Sequence, residues 1–246
     1  MCQQDATSGT SSTSRVFHKG NSIMSLAFAL LINDIVYIAA DSKSSGFLNE
    51  DNLGFGTHNH YMKPLLYDYK KIFRIEDTNI LGFSVGDNTI GSYNLLDYIK
   101  NVKFSNKSNL NEIAENICDS INNINNTNII NSIEFHLFDY SNKGCWHIPV
   151  IKTINDICRV NESEVLNDIG PLVLSPAGAD WAISLARNSI FYSGTSEEDV
   201  LYRINKIFND AAHIGHYFDD SVGGLTRIIK LEPGENPKWI QGEYNL

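Results

Sequence analysis

The first apolar run of the chain, Ser25-Leu-Ala-Phe-Ala-Leu-Leu-Ile32, is interrupted by Asn33-Asp34 and resumes as Ile35-Val-Tyr-Ile-Ala-Ala40. Asn and Asp tolerate left-handed backbone angles, so this junction predicts a β-hairpin. A three-residue loop of Ile32, Asn33 and Asp34 sets Leu31 against Ile35 and Ser25 against Asp41. The second strand ends at Ala39-Ala40-Asp41-Ser42, a carboxylate among small residues. A hydroxyl facing a carboxylate at the open end of a buried hairpin is the nucleus of a site.

A polar excursion rich in Gly, Asn and His covers Phe47–Pro64. Beyond it, Lys70–Ile75, a turn at Glu76–Asn79 and Ile80–Val85 read as a second hairpin. Pairing Ile75 with Ile80 puts Lys71 opposite Ser84, two residues ahead of Gly86. Gly86-Asp87 then introduces a predicted helix to about Val102, on the spacing of Ile90, Tyr93, Leu96 and Ile99. A second helical stripe is Leu110, Ile113, Ala114, Ile117, Cys118, Ile121 and Ile124. The Asn-rich run Asn122–Asn131 frays its end and reads as low complexity rather than function.

Strands are expected at Ile133–Asp139 and Gly144–Val150, and a short helix over Ala179–Asn188. The last long helix opens at Ser196-Glu-Glu-Asp199, a capping-box start with Asp in place of Glu or Gln. Its apolar face is Val200, Leu201, Ile204, Ile207, Phe208 and Ala211. Closing strands are Leu225–Leu231 and Pro237–Gln241. The order is strands, two helices, strands, two helices, strands. Continuously apolar strands need cover on both faces, so the expected class is α+β, a four-layer αββα sandwich with two antiparallel sheets between helix layers.

Length narrows this to one large domain or two small ones, since 246 residues bury ample core without disulfides or metal. Residues 1–22, rich in Ser, Thr and Gly, read as a disordered leader or propeptide, and residues 23–246 as a single domain. The net charge of −10, with no basic block, disfavours nucleic acid as a partner. Asn33-Asp34 divides the only candidate membrane span, so no membrane partner is expected.

Cys2, Cys118, Cys145 and Cys158 are scattered, which reads as free thiols in a reducing compartment and a cytoplasmic location. A competing reading is a secretory signal, with Arg15, His18 and Lys19 before Ile23–Ile32 and a cleavage-like Ala39-Ala40. The β-rich run Ile35–Ile38 weighs against it. His58-Asn-His60, Cys145-Trp-His147 and the pair His213 and His216 lack third and fourth ligands, so neither metal nor cofactor is expected.

Several pieces fall in a familiar order: Ala39-Ala40-Asp41-Ser42, Lys70-Lys71-Ile72, Gly82-Phe-Ser-Val-Gly86-Asp87, and Asp219-Asp-Ser-Val-Gly-Gly224 after a long helix. Together they resemble the proteasome β-type subunits and their bacterial relatives, the N-terminal-nucleophile hydrolases, over about residues 23–240. The resemblance implies an αββα fold, polypeptide substrates, and assembly with other such subunits in a ring, with an unfolding ATPase as a further candidate partner. It also implies catalysis by the first residue of the mature chain. Ser25 holds the nucleophile position, counted back from Asp41 without gaps. By the same carry-over Lys71 is the site lysine, Gly86 the amide that binds the oxyanion, and Asp41 and Asp219 the supporting carboxylates.

The implied chemistry needs these residue types. A serine hydroxyl is a weak nucleophile until a base takes its proton. A free α-amino group, with a pKa of about 7.7–8.0, is suited to that task near neutrality. Lys71 nearby disfavours protonation of the amine, and Asp41 stabilises the lysine charge. A glycine at position 86 permits close approach of substrate to a backbone N–H.

The chain departs from the family at Ser25 for the usual Thr, at Met24 for Gly, and at Val222 for a serine, with Ser221 one step early. Ser175-Pro-Ala-Gly178 stands where the family has Ser-Gly. Met24-Ser25 offers two routes to a terminal Ser25: autocleavage, or initiation at Met24 followed by aminopeptidase removal. With Leu26 aligned to a family leucine, Ile23 takes the nucleophile position and no enzyme results. The sequence therefore supports two readings, a peptidase subunit and a catalytically inactive scaffold subunit.

Overall fold

The computed structural model describes residues 25–47, 62–66, 68–86, 89–90, 93–102, 109–124, 133–141, 144–152, 157–161, 164–165, 172–218 and 222–243. The chain begins with strands β1 (Leu26–Ile32), β2 (Ile35–Ala40), β3 (Ser44–Phe47), β4 (Met62–Leu66), β5 (Ile72–Arg74) and β6 (Leu81–Gly86). Two short strands, β7 (Thr89–Ile90) and β8 (Tyr93–Asn94), lead into helices α1 (Leu95–Asn101) and α2 (Leu110–Ile124). Then come β9 (Ile133–Ser141), β10 (Gly144–Lys152), β11 (Arg159–Val160), β12 (Glu164–Val165) and β13 (Leu172–Gly178). Helices α3 (Asp180–Asn188) and α4 (Glu197–Phe218) precede β14 (Arg227–Leu231) and β15 (Lys238–Gln241).

The class is α+β, with two principal antiparallel sheets. One has the order β13-β1-β2-β14-β15. The other has the order β11-β10-β9-β6-β5, with β12 also pairing β10. β1 and β2 lie inside the first sheet, so a chain cut after Ala40 lacks two of its strands. Among the described residues no helix is long and apolar enough to cross a membrane.

The period-2 alternation of strands sorts the apolar residues of β1 and β2. Leu26, Phe28, Leu30, Ile32 and Tyr37 join a buried cluster with Ala182 and Ala186 of α3 and Val200, Ile204 and Phe208 of α4. The smaller alternates Ala27, Ala29, Val36, Ile38 and Ala40 meet Leu81, Phe83 and Phe138 of the second sheet. On that sheet's other side, Phe135, Leu137, Ile148 and Val150 pack with Leu96 and Ile99 of α1 and Ile113, Ile117 and Ile121 of α2. The α2 stripe read from the sequence is thus its buried face. Ser196 caps α4: its Oγ accepts from Asp199 N at 3.2 Å and donates to Asp199 Oδ2 at 2.9 Å.

Two expectations are corrected. The first hairpin closes through two residues, not three. Asn33 and Asp34 adopt φ of +51° and +59°, the angles of a type I′ turn, whose twist suits a hairpin. Ile32 therefore pairs Ile35, Ala27 pairs Ala40, and Asp41 N donates to Leu26 O at 3.0 Å. Leu26, not Ser25, stands across from Asp41. The second correction concerns the helix expected from Gly86-Asp87 to Val102. Thr89–Ile90 and Tyr93–Asn94, β-branched and aromatic in part, pair as strands. The helix starts only at Leu95, where Asn94 Oδ1 accepts from Leu96 N and Asp97 N at 3.0 and 3.3 Å. β3, β4, β11, β12 and β13 were not foreseen. The second hairpin agrees with its expected register, Ile72 pairing Phe83 and Ser84 N donating to Lys71 O at 2.9 Å.

A ring stack lies among the buried groups of the second sheet. Phe83, His136, His147 and Phe138 follow one another at centroid spacings of 4.8, 5.2 and 4.7 Å. His136 Nδ1 and His147 Nε2 share a hydrogen bond of 2.9 Å, and Glu134 Oε1 takes His136 Nε2 at 2.9 Å. Burial, with neighbouring His136 adding to it, pushes the His147 pKa down from 6.5 to about 3. Between those values the unfolded chain binds a proton that the folded chain refuses. The stability contribution is complete above about pH 6.5 and declines as pH falls, by about 1.4 kcal/mol per pH unit. Urea midpoints of the natural chain should drop along this limb, and His147→Gln should flatten it.

Candidate active site

The end of the first hairpin is organised by one carboxylate. Asp41, 2% exposed, accepts Leu26 N at 2.9 Å on Oδ1, and Lys43 N at 3.2 Å and Gly223 N at 3.3 Å on Oδ2. Its fourth donor is Lys71 Nζ, 2.6 Å from Oδ1. The same ammonium nitrogen lies 2.7 Å from Ser25 Oγ. Ser25, Asp41 and Lys71 are all buried and form one cluster. The sequence placed these residues together for a partly wrong reason. Ser25 reaches Asp41 through Lys71, not across the hairpin.

Lys71 is positioned by its own hairpin. It directly precedes β5, and its carbonyl is held by Ser84 of β6. Gly86 closes β6 opposite Ile133, two residues beyond Ser84, with φ of +93°. That angle lies in the region that favours glycine. Gly86 therefore lies on the strand next to the lysine, while the tight cluster comprises Ser25, Asp41 and Lys71. Asp219, like Ser221, Ile23, His58 and His60, lies outside the described residues. Val222, just after Ser221, is buried in the apolar cluster under α3 and α4.

The backbone around Ser25 is fixed from a second side. Ala179 N donates to Ser25 O at 3.0 Å, and Leu26 pairs Gly178. Gly178 has φ of +130°, and a Cβ there would lie 1.9 Å from Ser25 O. Only glycine lets β13 approach this closely. Ser42 adds another tie, its Oγ accepting Leu225 N at 2.7 Å. Sequence reasoning missed Gly178, Ala179, Lys43 and Gly223 as parts of the site. Gly178 lay in the imperfect Ser175-Pro-Ala-Gly178 match and Gly223 in the Asp219–Gly224 match, so both carried a signal that was read for its side chains alone.

Electrostatics set the lysine's role. Burial is the largest influence and lowers the Lys71 pKa from the usual lysine range. Asp41 opposes it through charge and hydrogen bonding, and the Lys43 charge pushes further downward. An amine held below its ordinary pKa is closer to donating a lone pair at neutral pH, and one at 2.7 Å from a hydroxyl can take that proton. Among the described residues no group of three His, Cys, Asp or Glu side chains could hold a metal ion. No protein-family model matches the chain. No curated protein matches it either.

Gly178→Ala should destabilise the protein by about 2–4 kcal/mol, backbone strain and overpacking acting together. Chemical denaturation measures the loss. Asp41→Ala should cost about 3–5 kcal/mol, because it strands a buried ammonium and three backbone donors.

Proposed function

We propose that this protein is an N-terminal-nucleophile peptidase subunit, with Ser25 as the nucleophile once the residues before it are removed. The observation that carries the reading is Lys71 Nζ standing 2.7 Å from Ser25 Oγ and 2.6 Å from Asp41 Oδ1 in a buried site. Removal of Met24 creates an α-amine on the residue that bears the hydroxyl. Lys71, kept low in pKa by burial, and the new amine share the task of taking the Ser25 proton. Oγ then attacks the carbonyl of a peptide substrate, and the Gly86 N–H receives the developing oxyanion. The amine or lysine returns the proton to the leaving nitrogen, and water hydrolyses the resulting ester.

The architecture belongs to the same proposal. One apolar cluster joins the two sheets, and one lies against the helices on each sheet's other side, which supports a four-layer αββα arrangement. On this reading the subunit assembles with similar subunits in a ring in the cytoplasm, takes unfolded polypeptides as substrate, and is served by an unfolding ATPase. A second reading is an inactive scaffold subunit. It is favoured by Val222, which puts an apolar side chain in the core where the family has a hydroxyl.

N-terminal sequencing and intact mass of the mature protein separate the two. A chain starting at Ser25, labelled stoichiometrically by a peptide epoxyketone and unlabelled as Ser25→Ala, supports the peptidase. A chain that retains Met24 and takes no label leaves the scaffold. Peptidase activity should rise with pH through a midpoint below the ordinary lysine value of 10.5, as the site loses its proton. Lys71→Arg, which keeps a charge but holds its proton, should lower kcat by about 10²–10⁴.

A further inference from the structure

Far from Ser25 in the sequence, a second group of reactive side chains meets at the end of α2. Asn122, in the last turn of that helix, grips Cys158 twice. Its Oδ1 accepts Cys158 N at 2.7 Å, and its Nδ2 donates to Cys158 O at 3.1 Å. The same Nδ2 reaches Cys118 Sγ at 3.9 Å, one turn back on the same helix face. Asn122 thus bridges the two cysteines, and both lie in the same buried cluster. Cys158 sits beside exposed Ile157 and just before the edge strand β11, so the pair is close to the surface although both thiols are buried.

We propose that Cys118 and Cys158 are a redox-active dithiol, which hydrogen peroxide converts into an intramolecular disulfide linking α2 to the edge of the second sheet. The Cys118 thiolate attacks one oxygen of the peroxide and the O–O bond breaks. This leaves a sulfenic acid on Cys118, and the departing hydroxide takes up the thiol proton as water. The Cys158 sulfur then displaces the sulfenic hydroxyl, which leaves as a second water with the Cys158 proton. Two thiols lose two electrons and two protons, and one peroxide becomes two waters.

The pair is chemically distinct from the third described cysteine. Hydrogen bonding from Cys158, helped by Asn122, lowers the Cys118 pKa against the opposing effect of burial. Burial beside Asp139 pushes Cys145 up to about 12. The thiolate is the reacting species, so Cys118 reacts first and Cys145 stays inert. Asn122 holds the backbone of the resolving residue, Cys158, in place.

The test uses the full chain, reduced and freed of reductant. It is exposed to hydrogen peroxide, denatured, alkylated, and digested without reduction. The expected result is a Cys118–Cys158 linked peptide, a monomeric chain lighter by two hydrogens, alkylated Cys145, and reversal by dithiothreitol. Cys158→Ser should instead leave a sulfenic acid on Cys118 that dimedone captures. The proposal is overturned if the natural chain keeps both thiols alkylatable, if Cys118 passes to sulfinic acid without a linked peptide, or if the linkage runs through Cys2, Cys145 or a second chain. The natural chain decides the matter alone, so a poorly folding variant does not obscure it.

Discussion

The carboxylate of Asp41 collects donors from four separate segments: the start of β1, the link after β2, the residue ahead of β5, and the approach to β14. A buried carboxylate without such partners is too costly to keep ionised, and each buried N–H without an acceptor carries its own penalty. The two problems cancel here. The charge of Asp41 is tolerated because four donors converge on it, and those segments converge because the charge is there. Lys71 is then held against Ser25 by the same contact that helps to make its ammonium tolerable.

The surrounding fold delivers the pieces with little freedom. β1 supplies the Leu26 amide and follows directly on Ser25, while β5 follows directly on Lys71 and its partner β6 ends at Gly86. Leu26, Phe28, Leu30 and Ile32 of β1 point to the α3 and α4 side, and Ala27, Ala29 and Leu31 to the other sheet. The alanines allow close approach of the sheets near the cluster. The tip of the first hairpin is anchored as well. Asn33 accepts Gly194 N at 2.8 Å and donates to Thr195 O at 2.9 Å, which ties the turn to the segment before α4.

Local rules carried the sequence reading where one answer was physically favoured. The register of β5 and β6 followed from the turn at Glu76–Asn79, and the cap of α4 from Ser196 and Asp199. The first hairpin was displaced by one residue because Asn-Asp suits more than one loop length, and only the pairing settles which is used. β13 escaped notice because Pro176 breaks the pattern of a strand, yet an edge strand accommodates proline, and β13 is an edge. Asn122 read as the first of many asparagines, and its clamp on Cys158 depends on a partner remote in sequence. The amides of Lys43 and Ala179 were beyond reach for the same reason. Backbone donors carry no residue-type signal, and their aim is set by tertiary folding.

The peptide group joining Ser25 to Leu26 is held at both its polar atoms, the carbonyl by Ala179 and the N–H by Asp41. Chain ends ordinarily fray. A terminus created at Ser25 would be born already moored, with its first peptide plane unable to swing and only the amine and hydroxyl left to turn. The entropy of ordering that tip is lost during folding, so the peptide plane beside the Ser25 hydroxyl is already fixed in the folded chain.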